Sequence, residues 1–432
     1  MYAQNTLANC YYSGTGTSQN YNEAVKWYKF AVEQGYDWAQ YNLGKCYYDG
    51  IGVEQDYKSA VALFRKSAEQ GNDVAQLMLG KCYYYGNGIS PNNNAAYQWF
   101  KKSADSNNVE AEYYLGRCFY YGHGVGQNYD KAVQRFRNAA ENGDNRAQDF
   151  LGDCYYNGYG VQPDCAEAVK WYQLAAEQGN QYSQNSLGNC YYNGYGVQQD
   201  YYEALKWYRL SAEQGNKFAQ ESLGNFYYNG YEVQQDYFEA VKWYRLSADQ
   251  EWCIGQYKLG ECYYYGKGVE QDYDEAVYWF RKSAEQNYEK AQEMLGEYYF
   301  LHIGDYHEAV KWLELAANQG DIDAQYFLGS CYSGGDGKQR YPSEAVKWFK
   351  LAAESGHKHA QSCLADCYYK GDGVIPNYNE ALKWYKKAAE QGESLAQKKL
   401  VQLLSNQSIA GNIIKGISDA GKAINIWWNG SQ

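Results

Sequence analysis

Apolar and polar positions alternate along the chain in blocks of 36 residues, and residues 187–216, LGNCYYNGYGVQQDYYEALKWYRLSAEQGN, begin one such block. Small and apolar residues around Leu187 fall at helical spacing, which predicts a first helix over about 181–192. A second apolar face that contains Trp207 predicts another helix ending at Gly215, a residue suited to a left-handed cap. Each block is therefore predicted to be a pair of helices, which we call helix A and helix B.

The turn between the two helices carries its own signals. The run NGYGV at 193–197 breaks helix A, because glycine adopts positive φ at little cost where a chain turns sharply. Asp200 stands three residues before Glu203, the spacing of a capping box, in which each side chain accepts a hydrogen bond from an amide at the helix start. Helix B is thus predicted to begin directly after Asp200.

The block repeats without drift over most of the chain. Its leucine recurs every 36 residues from Leu7 to Leu295, and after a deletion of three residues the pattern resumes at Leu328 and Leu364. A fixed period of this length is the signature of stacked repeats, in which a short helix pair buries its apolar face against its neighbours. The predicted fold is an all-α solenoid of about eleven 36-residue helix-turn-helix repeats over residues 1–400, followed by a tail at 401–432.

Two positions in each unit are predicted to specify the stack. Gly188 and its equivalents allow helix B to approach helix A closely, since glycine has no side chain to hold the helices apart. Trp207 and its equivalents are predicted to fill the space between units. Leu63 and Arg135 are the exceptions to the tryptophan pattern.

Cysteine is common in this chain, and its placement favours packing over chemistry. Nine of the twelve cysteines stand three residues after the repeating leucine, and Phe226 and Tyr298 replace cysteine there in two units. A position that accepts Cys, Phe or Tyr is acting as an apolar packing site. Two local pairs remain open as disulfides: Cys253 with Cys262 and Cys363 with Cys367.

Some units depart from the pattern. Glu232 and Glu251 replace, in one unit, the second glycine of the turn and the glycine that ends helix B, so altered packing is predicted near 251. The segment YFLHIGDYHEA at 299–309 lacks the usual turn, which predicts a change of superhelix curvature near 300. Pro342 stands where the first turn of a helix B is expected, a position that tolerates proline.

The unit pattern A-x-x-x-L-G-x-x-Y-x-x-G-x-G-V-x-x-D-Y-x-E-A-x-x-W-Y-x-x-A-A-E-Q-G resembles the Sel1-like repeat, a relative of the tetratricopeptide repeat, over about residues 1–400. The resemblance implies a right-handed superhelical α-solenoid. It also implies a scaffold or adaptor that assembles other proteins, as in degradation at the endoplasmic reticulum, fungal wall synthesis and bacterial interaction with hosts.

Charge and composition argue against some classes of binding partner. A formal net charge of −12 and a pI near 5.1 argue against nucleic acid and anionic membranes as general partners. The start MYAQNTLANCYY continues into the first predicted helix A without the basic and then apolar segment of a secretory signal. We therefore expect a cytoplasmic protein with reduced thiols.

The tail changes in composition. Between 405 and 432, apolar residues recur three or four positions apart, from Ile409 to Ile424, and Trp427-Trp428 follow. This amphipathic pattern favours a cap over the last repeat, which terminal repeats require. A helix that binds a membrane surface or a partner is the alternative.

Signals for catalysis are weak. The five histidines do not occur in a zinc-binding spacing with a cysteine pair, so neither a metal nor a cofactor is expected. Ser355-Gly-His-Lys358 matches the S-x-x-K of β-lactam-binding enzymes, but it falls at the end of a helix B and no SDN or KTG accompanies it. A hydrolase of the β-lactam-handling type, a role given to some bacterial relatives, remains the enzymatic alternative to a non-catalytic protein.

Binding is predicted at positions that vary between units. The residues five before, two before, two after and five after the leucine form one stripe on helix A, which we call the helix A stripe and which lines the concave surface in tetratricopeptide-like superhelices. The candidate binding residues on it are Trp38, Tyr41, Lys45, Tyr48, Lys81, Tyr84, Tyr113, Arg117, Tyr120, Tyr156, Tyr182, Tyr192, Phe218 and Tyr228.

The tyrosine five after the leucine distinguishes this chain, and it has two interpretations. It forms either a ladder of stacked rings between neighbouring A helices or a rigid amphipathic surface for a partner. In the Leu187 unit, the stripe residues Tyr182, Asn185, Asn189 and Tyr192 are predicted to be unnecessary for the stack.

The same stripe carries a basic row at Lys45, Lys81 and Arg117, whereas later units are made acidic by Asp153, Glu261, Glu297 and Asp366. The resulting hypothesis is a non-catalytic scaffold or adaptor that binds a protein or an extended peptide on the concave helix A surface, with an acidic part of the partner near the basic row. The sequence predicts no oligomeric state.

Overall fold

A computed structural model of the chain describes residues 1–334 and 340–405, and the tail predictions for 406–432 lie outside this part. The described residues form twenty-three α-helices and one π-helical turn, and they contain no β-strand. Helices A and B alternate along the chain. The predicted all-α solenoid of helix-turn-helix repeats is therefore confirmed.

The helices are numbered α1–α23 in chain order. The A helices are α1 (Tyr2–Ser13), α3 (Asp37–Asp49), α5 (Asp73–Tyr85), α7 (Val109–Tyr121), α9 (Asn145–Asn157), α11 (Gln181–Asn193), α13 (Lys217–Asn229), α15 (Cys253–Tyr265), α17 (Glu289–Tyr298), α19 (Ile322–Gly334), α21 (Lys358–Lys370) and α23 (Ser394–Ser405). The B helices are α2 (Tyr21–Glu33), α4 (Tyr57–Glu69), α6 (Asn93–Ala104), α8 (Tyr129–Glu141), α10 (Cys165–Glu177), α12 (Tyr201–Glu213), α14 (Tyr237–Asp249), α16 (Tyr273–Glu285), α18 (Tyr306–Gln319), α20 (Pro342–Glu354) and α22 (Tyr378–Glu390).

Contacts between residues divide the chain into two compact units. The first holds Met1–Phe226 and Tyr231–Val233, and the second holds Tyr227–Gly230 and the chain from Gln234 onward. Within each unit, the core lies between consecutive helices of the A and B series.

The start of helix B corrects one detail of the sequence prediction. The Asp200 carboxylate accepts hydrogen bonds from the amides of Tyr202 and Glu203, as a helix cap should. The Asp200 amide, however, donates to the Tyr191 carbonyl, and the Glu203 carboxylate pairs with Lys206. The capping box is therefore half formed, because the last turn of helix A already accepts the hydrogen bond that the box would have supplied.

Glycine is required at two places in the repeat. A Cβ at Gly188 would lie 2.7 Å from a ring carbon of Tyr208, so the predicted close approach of helix B is confirmed. At Gly196, where φ is 72°, a Cβ would lie 2.2 Å from the Cys165 carbonyl oxygen of the preceding helix B. The second glycine of the turn thus brings successive helix pairs together.

The aromatic and thiol positions pack as predicted. Trp207 is buried in a cluster with Tyr172, Leu187 and Cys190, so the tryptophan of one helix B packs with its own helix A and with the preceding helix B. All twelve cysteines are free thiols, and the two pairs left open as disulfides are not bonded. Burial raises the pKa of the Cys190 thiol to about 12, which keeps it protonated and suits a packing role.

A buried glutamine in helix A stabilises the stack, a role the sequence analysis did not assign. Gln184 donates to the Ala176 carbonyl of the preceding helix B at 3.1 Å and accepts from Gln214 of the following helix B at 2.7 Å. Gln148 makes the equivalent pair of contacts to Ala140 and Gln178. Such bonds join three consecutive helices through a side chain that is otherwise costly to bury.

The irregular units adapt locally. Glu232 and Glu251 adopt φ of 53° and 59°, so they keep the backbone of the glycines they replace. The missing turn becomes the π-helical segment Tyr299–Ile303, which ends at Gly304. Pro342 is the first residue of α20, as predicted. The change of curvature near 300 stays a prediction.

Candidate functional site

The predicted binding residues lie on the A helices with unequal exposure. Trp38, Tyr156 and Tyr182 are 41%, 36% and 57% exposed, and Lys45 is also exposed. Tyr113 is only 6% exposed and belongs to the core. The half-buried members of the stripe are Tyr41, Tyr48, Lys81, Tyr84, Arg117, Tyr120, Tyr192, Phe218 and Tyr228.

The tyrosine five after the leucine makes two recurrent contacts within the chain. The Tyr48 ring meets the Tyr57 ring at the start of helix B edge-on, with centroids 5.0 Å apart, and the Tyr48 hydroxyl accepts from Asn87 of the next unit at 2.7 Å. Tyr84 forms the equivalent hydroxyl bond to His123 at 2.9 Å. These rings therefore brace the turn of the next unit, a different arrangement from a stack between neighbouring A helices.

The basic row is already engaged in ion pairs and ring contacts. Lys45 pairs with Asp49 on its own helix at 2.8 Å, and 46% of its side chain stays exposed. Lys81 pairs with Glu110 of the next helix A at 2.8 Å and is 18% exposed. An acidic partner at Lys81 would have to compete with Glu110 for the same ammonium group.

Arg117 is held by aromatic faces. Its guanidinium lies 5.4 Å from the Tyr84 ring centroid and 5.7 Å from that of Tyr113. Its buried Nε has no hydrogen-bond acceptor in the described part of the chain. The tyrosines, whose ring faces attract cations, thus fix the position of this side chain.

Glu110 links two cations across three helices. It accepts from Lys81 of α5 and from Arg146 of α9 at 2.8 and 3.0 Å, and Arg146 also pairs with Asp144. Burial raises the pKa of the Glu110 carboxyl, but the two cations outweigh burial and hold that pKa below its ordinary value. Within this part of the stripe, Glu110 and Asp144 therefore neutralise Lys81 and Arg146.

The position two after the leucine has a structural role that corrects the prediction for Asn189. The Tyr208 hydroxyl of helix B donates to Asn189 Oδ1 at 2.7 Å, and Tyr28 donates to Asn9 in the same way at 2.6 Å. A buried phenol needs an acceptor, so this residue contributes to the stack in both of these units.

Two adjoining clefts open on the stripe beside α9 and α11, and the sequence analysis did not assign this site. The larger, about 350 Å³, is lined by Asp149, Phe150, Asp153, Tyr182, Asn185, Ser186 and Phe218. The smaller, about 210 Å³, is lined by Asp153, Tyr156, Asn157, Tyr172, Ser186, Asn189 and Cys190. Two carboxylates four residues apart on one helix A were the sequence signal that could have indicated it.

The carboxylates of the larger cleft are short of positive charge. Ser183 donates to Asp149 at 2.6 Å and Tyr172 donates to Asp153 at 2.7 Å. Burial, and then the charge of Asp153, raise the pKa of Asp149 to about 7, and burial also raises the pKa of Asp153. Asn185 adds a buried Oδ1 without a hydrogen-bond partner in the described chain. The cleft thus offers acceptors that the protein itself does not saturate.

The residues considered for catalysis lie at a joint between helices. Ser355 directly follows α20 and is exposed, and Lys358 begins α21 and is also exposed. His357 caps α21 through Nδ1, which accepts from the Ala360 amide at 3.0 Å. This stretch has a structural role in connecting two repeats.

Among residues 1–334 and 340–405, no group of three or more His, Cys, Asp and Glu side chains is placed to hold a metal ion. No helix in the same ranges is both long and apolar enough to cross a membrane.

Stacked helix pairs with a variable stripe define a helical-repeat protein, a class that commonly mediates protein–protein interaction. The chain belongs to the Sel1 repeat family. The family matches in eleven segments, at 2–36, 39–72, 73–108, 109–144, 145–180, 181–216, 217–251, 254–288, 289–321, 322–357 and 359–393.

Solved structures agree with this assignment. The chain is similar to c5321, a protective antigen of uropathogenic Escherichia coli strains with an SLR fold, at 34% identity and a TM-score of 0.81, covering 94% of this chain and 88% of that one. It is also similar to a Sel1 repeat protein from Oxalobacter formigenes, at 33% identity and a TM-score of 0.53, covering 56% of this chain and 96% of that one. No curated protein sequence matches the chain.

Proposed function

We propose that this protein is a scaffold or adaptor that binds an extended segment of a partner protein along the helix A stripe. Helical-repeat families of this kind are generally non-catalytic scaffolds, which supports a binding role. In such proteins, the positions that vary between repeats determine which partner is bound.

The observation that carries the proposal is the exposure of aromatic rings on the stripe. Trp38, Tyr156 and Tyr182 stand on α3, α9 and α11 with more than a third of each side chain open to solvent. Such rings supply contact area at a small cost in conformational entropy and are enriched among residues that dominate binding energy. Lys45 is the exposed cation of the basic row, and we assign it to an acidic group of the partner.

We assign the half-buried members of the stripe a positioning role. Lys81 pairs with Glu110 and Arg117 lies against the Tyr84 ring, so both side chains help to fix the surface between the exposed rings. Tyr48 and Tyr84 act similarly through their bonds to the next unit. A rigid surface loses less entropy when a peptide binds to it.

Peptide selection with the full chain tests this proposal. A displayed library of random peptides is selected on the wild-type protein, and enriched peptides are synthesised and their affinities measured. The variant Trp38→Ala, Tyr156→Ala, Tyr182→Ala should weaken binding at least about tenfold, since each lost ring removes an anchor.

The control replaces three exposed aromatic residues on B helices: Tyr202, Phe238 and Tyr278, each by Ala. It should leave the affinity unchanged. An absence of enriched peptides, or an equal loss in both variants, would contradict the proposal.

A further inference from the structure

The two clefts beside α9 and α11 have the composition of a site for an organic cation. Their walls contain the carboxylates of Asp149 and Asp153, and none of the residues that line them is a lysine or an arginine. Lys217 lies beside one wall, with its ammonium group 5.7 Å from the Phe218 ring centroid. A bound cation would supply the positive charge that the two carboxylates lack.

The apolar walls favour a cation carried on a carbon stem. Phe150 and Phe218 line the larger cleft, and Tyr182 at its edge is 57% exposed. Aromatic faces attract an ammonium or guanidinium group and pack against the methylenes that carry it. The two clefts share Asp153 and Ser186, so they adjoin at one of the two carboxylates.

A further acceptor without a partner belongs to a residue beside the acidic pair. Asn185 lines the larger cleft, and its Oδ1 is buried and lacks a hydrogen-bond partner among the described residues. Buried amide oxygens are normally satisfied. A guanidinium, with five N–H donors in a planar fork, matches a carboxylate and an amide oxygen together.

A comparison with two other units shows that the acidic pair is not a general feature of the repeat. The positions equivalent to Asp149 and Asp153 are Asn5 and Asn9 in the first unit and Asn185 and Asn189 in the sixth. Asn9 and Asn189 accept the helix B tyrosine hydroxyl just as Asp153 does. The stack needs only an acceptor here, so the two negative charges serve no purpose in packing.

We infer that the Asp149–Asp153 cleft binds an arginine or lysine side chain of a basic peptide segment. This inference deepens the proposed scaffold function and rests on it for the source of the cation. The cleft would then select partners with a basic residue at one fixed place, while the exposed rings contact the residues around it.

The test uses N-acetyl-arginine amide and its neutral isostere N-acetyl-citrulline amide, each titrated into the full chain at pH 8 with saturation-transfer NMR as the readout. The wild type should bind the arginine compound at least about tenfold more tightly, because only it carries a charge. The variant Asp149→Asn, Asp153→Asn should lose that preference while keeping its fold, since both asparagines occur at these positions in the first and sixth units.

The matched control is Glu167→Gln, Glu203→Gln, which removes two negative charges from exposed ion pairs on B helices. It should keep the preference for arginine. Equal binding of the two compounds, no binding of either, or a preference that survives in the Asp149→Asn, Asp153→Asn variant would overturn the inference.

The selected peptides show whether the cation is a peptide side chain or a small free molecule. They also distinguish failure of the cleft inference from failure of the scaffold proposal. Enriched peptides should carry one arginine or lysine whose replacement by citrulline or norleucine lowers affinity at least about tenfold. Enriched peptides without a basic residue would overturn the inference and leave the scaffold proposal standing. Binding of the arginine compound without enriched peptides would assign the cleft to a small free cation, overturning its assignment to a peptide and also the scaffold proposal.

Discussion

Two carboxylates on the A helices of the first compact unit have opposite electrostatic environments. Glu110 of α7 lies between Lys81 and Arg146, and its pKa is below the ordinary value. Asp149 of α9 is buried beside Asp153, and its pKa is raised to about 7. Arg146 and Asp149 are three residues apart on the same helix, so the change occurs within one turn.

The two regions show that a charged side chain on the surface is not necessarily available to a partner. The region around Glu110 has the lysines and arginines that suggest an anion site, but those cations are held by a carboxylate and by aromatic faces. The cleft at Asp149 has carboxylates whose described partners are the hydroxyls of Ser183 and Tyr172. Whether a charged side chain on a repeat surface can bind a partner therefore depends more on whether neighbouring repeats already pair it than on the sign of its charge.

The largest expected effect is a gain in stability from Asp149→Asn. The pKa of Asp149 in the folded state is above the unfolded value near 4, so this carboxyl stabilises the folded wild type below pH 4, where it is protonated. That stabilisation is lost as the pH rises through 7. The variant should therefore exceed the wild type by about 2 kcal/mol in free energy of unfolding at pH 8, with little difference at pH 4. Urea denaturation over this pH range measures both.

Glu110→Gln is the opposing control for that measurement. The pKa of Glu110 is lowered in the folded state, so its contribution is present above pH 5 and is lost as pH falls through the folded value. The amide variant should be less stable than the wild type at pH 8. The comparison fails if both carboxyl-to-amide changes shift stability in the same direction.

Much of the fold follows from the sequence, and part of the stripe could also have been anticipated. The 36-residue period and the apolar spacing give the helix pairs, because stacking is the way such short helices bury their faces. The type of residue two positions after the leucine correlates with the type of the helix B residue that it faces. Tyrosines Tyr28, Tyr172 and Tyr208 face Asn9, Asp153 and Asn189, and phenylalanines Phe64, Phe100 and Phe136 occur with Lys45, Lys81 and Arg117.

The cleft at Asp149 could not be predicted in this way. Its depth depends on side chains from three A helices: Phe150 on α9, Asn185 on α11 and Phe218 on α13. The burial that raises a carboxyl pKa is a property of that combined volume, which no single repeat encodes. For the same reason, the neutralisation of Lys81 by Glu110 is visible only once the two helices are side by side.

A smaller loss is expected from Arg146→Met, which opens the neutralised region. Arg146 pairs with Glu110 and Asp144, and its guanidinium lies 4.4 Å from the Tyr113 ring centroid. Methionine keeps the apolar stem but removes these contacts, so the free energy of unfolding should fall by about 1.5 kcal/mol. Thermal and urea denaturation at pH 7 provide the measurement.

Lys170→Met serves as the reference for that change, since Lys170 forms an exposed pair with Glu167. It should shift stability by no more than about 0.5 kcal/mol. An Arg146→Met variant as stable as this reference would mean that the network around Glu110 contributes nothing, and the contrast with Asp149 would then lie in burial alone.

The smallest expected effects compare two lysines of the basic row. Lys81 is 18% exposed and bridges to Glu110 of another helix, whereas Lys45 is 46% exposed and pairs within its own helix. Lys81→Met should cost about 1 kcal/mol and Lys45→Met less than about 0.5 kcal/mol, and raising the salt concentration should weaken only the Lys45 pair appreciably. If Lys45 instead proves the costlier loss, the ion pair to Glu110 is not what neutralises this part of the stripe. The basic row would then be as open to an acidic partner as its sequence suggests.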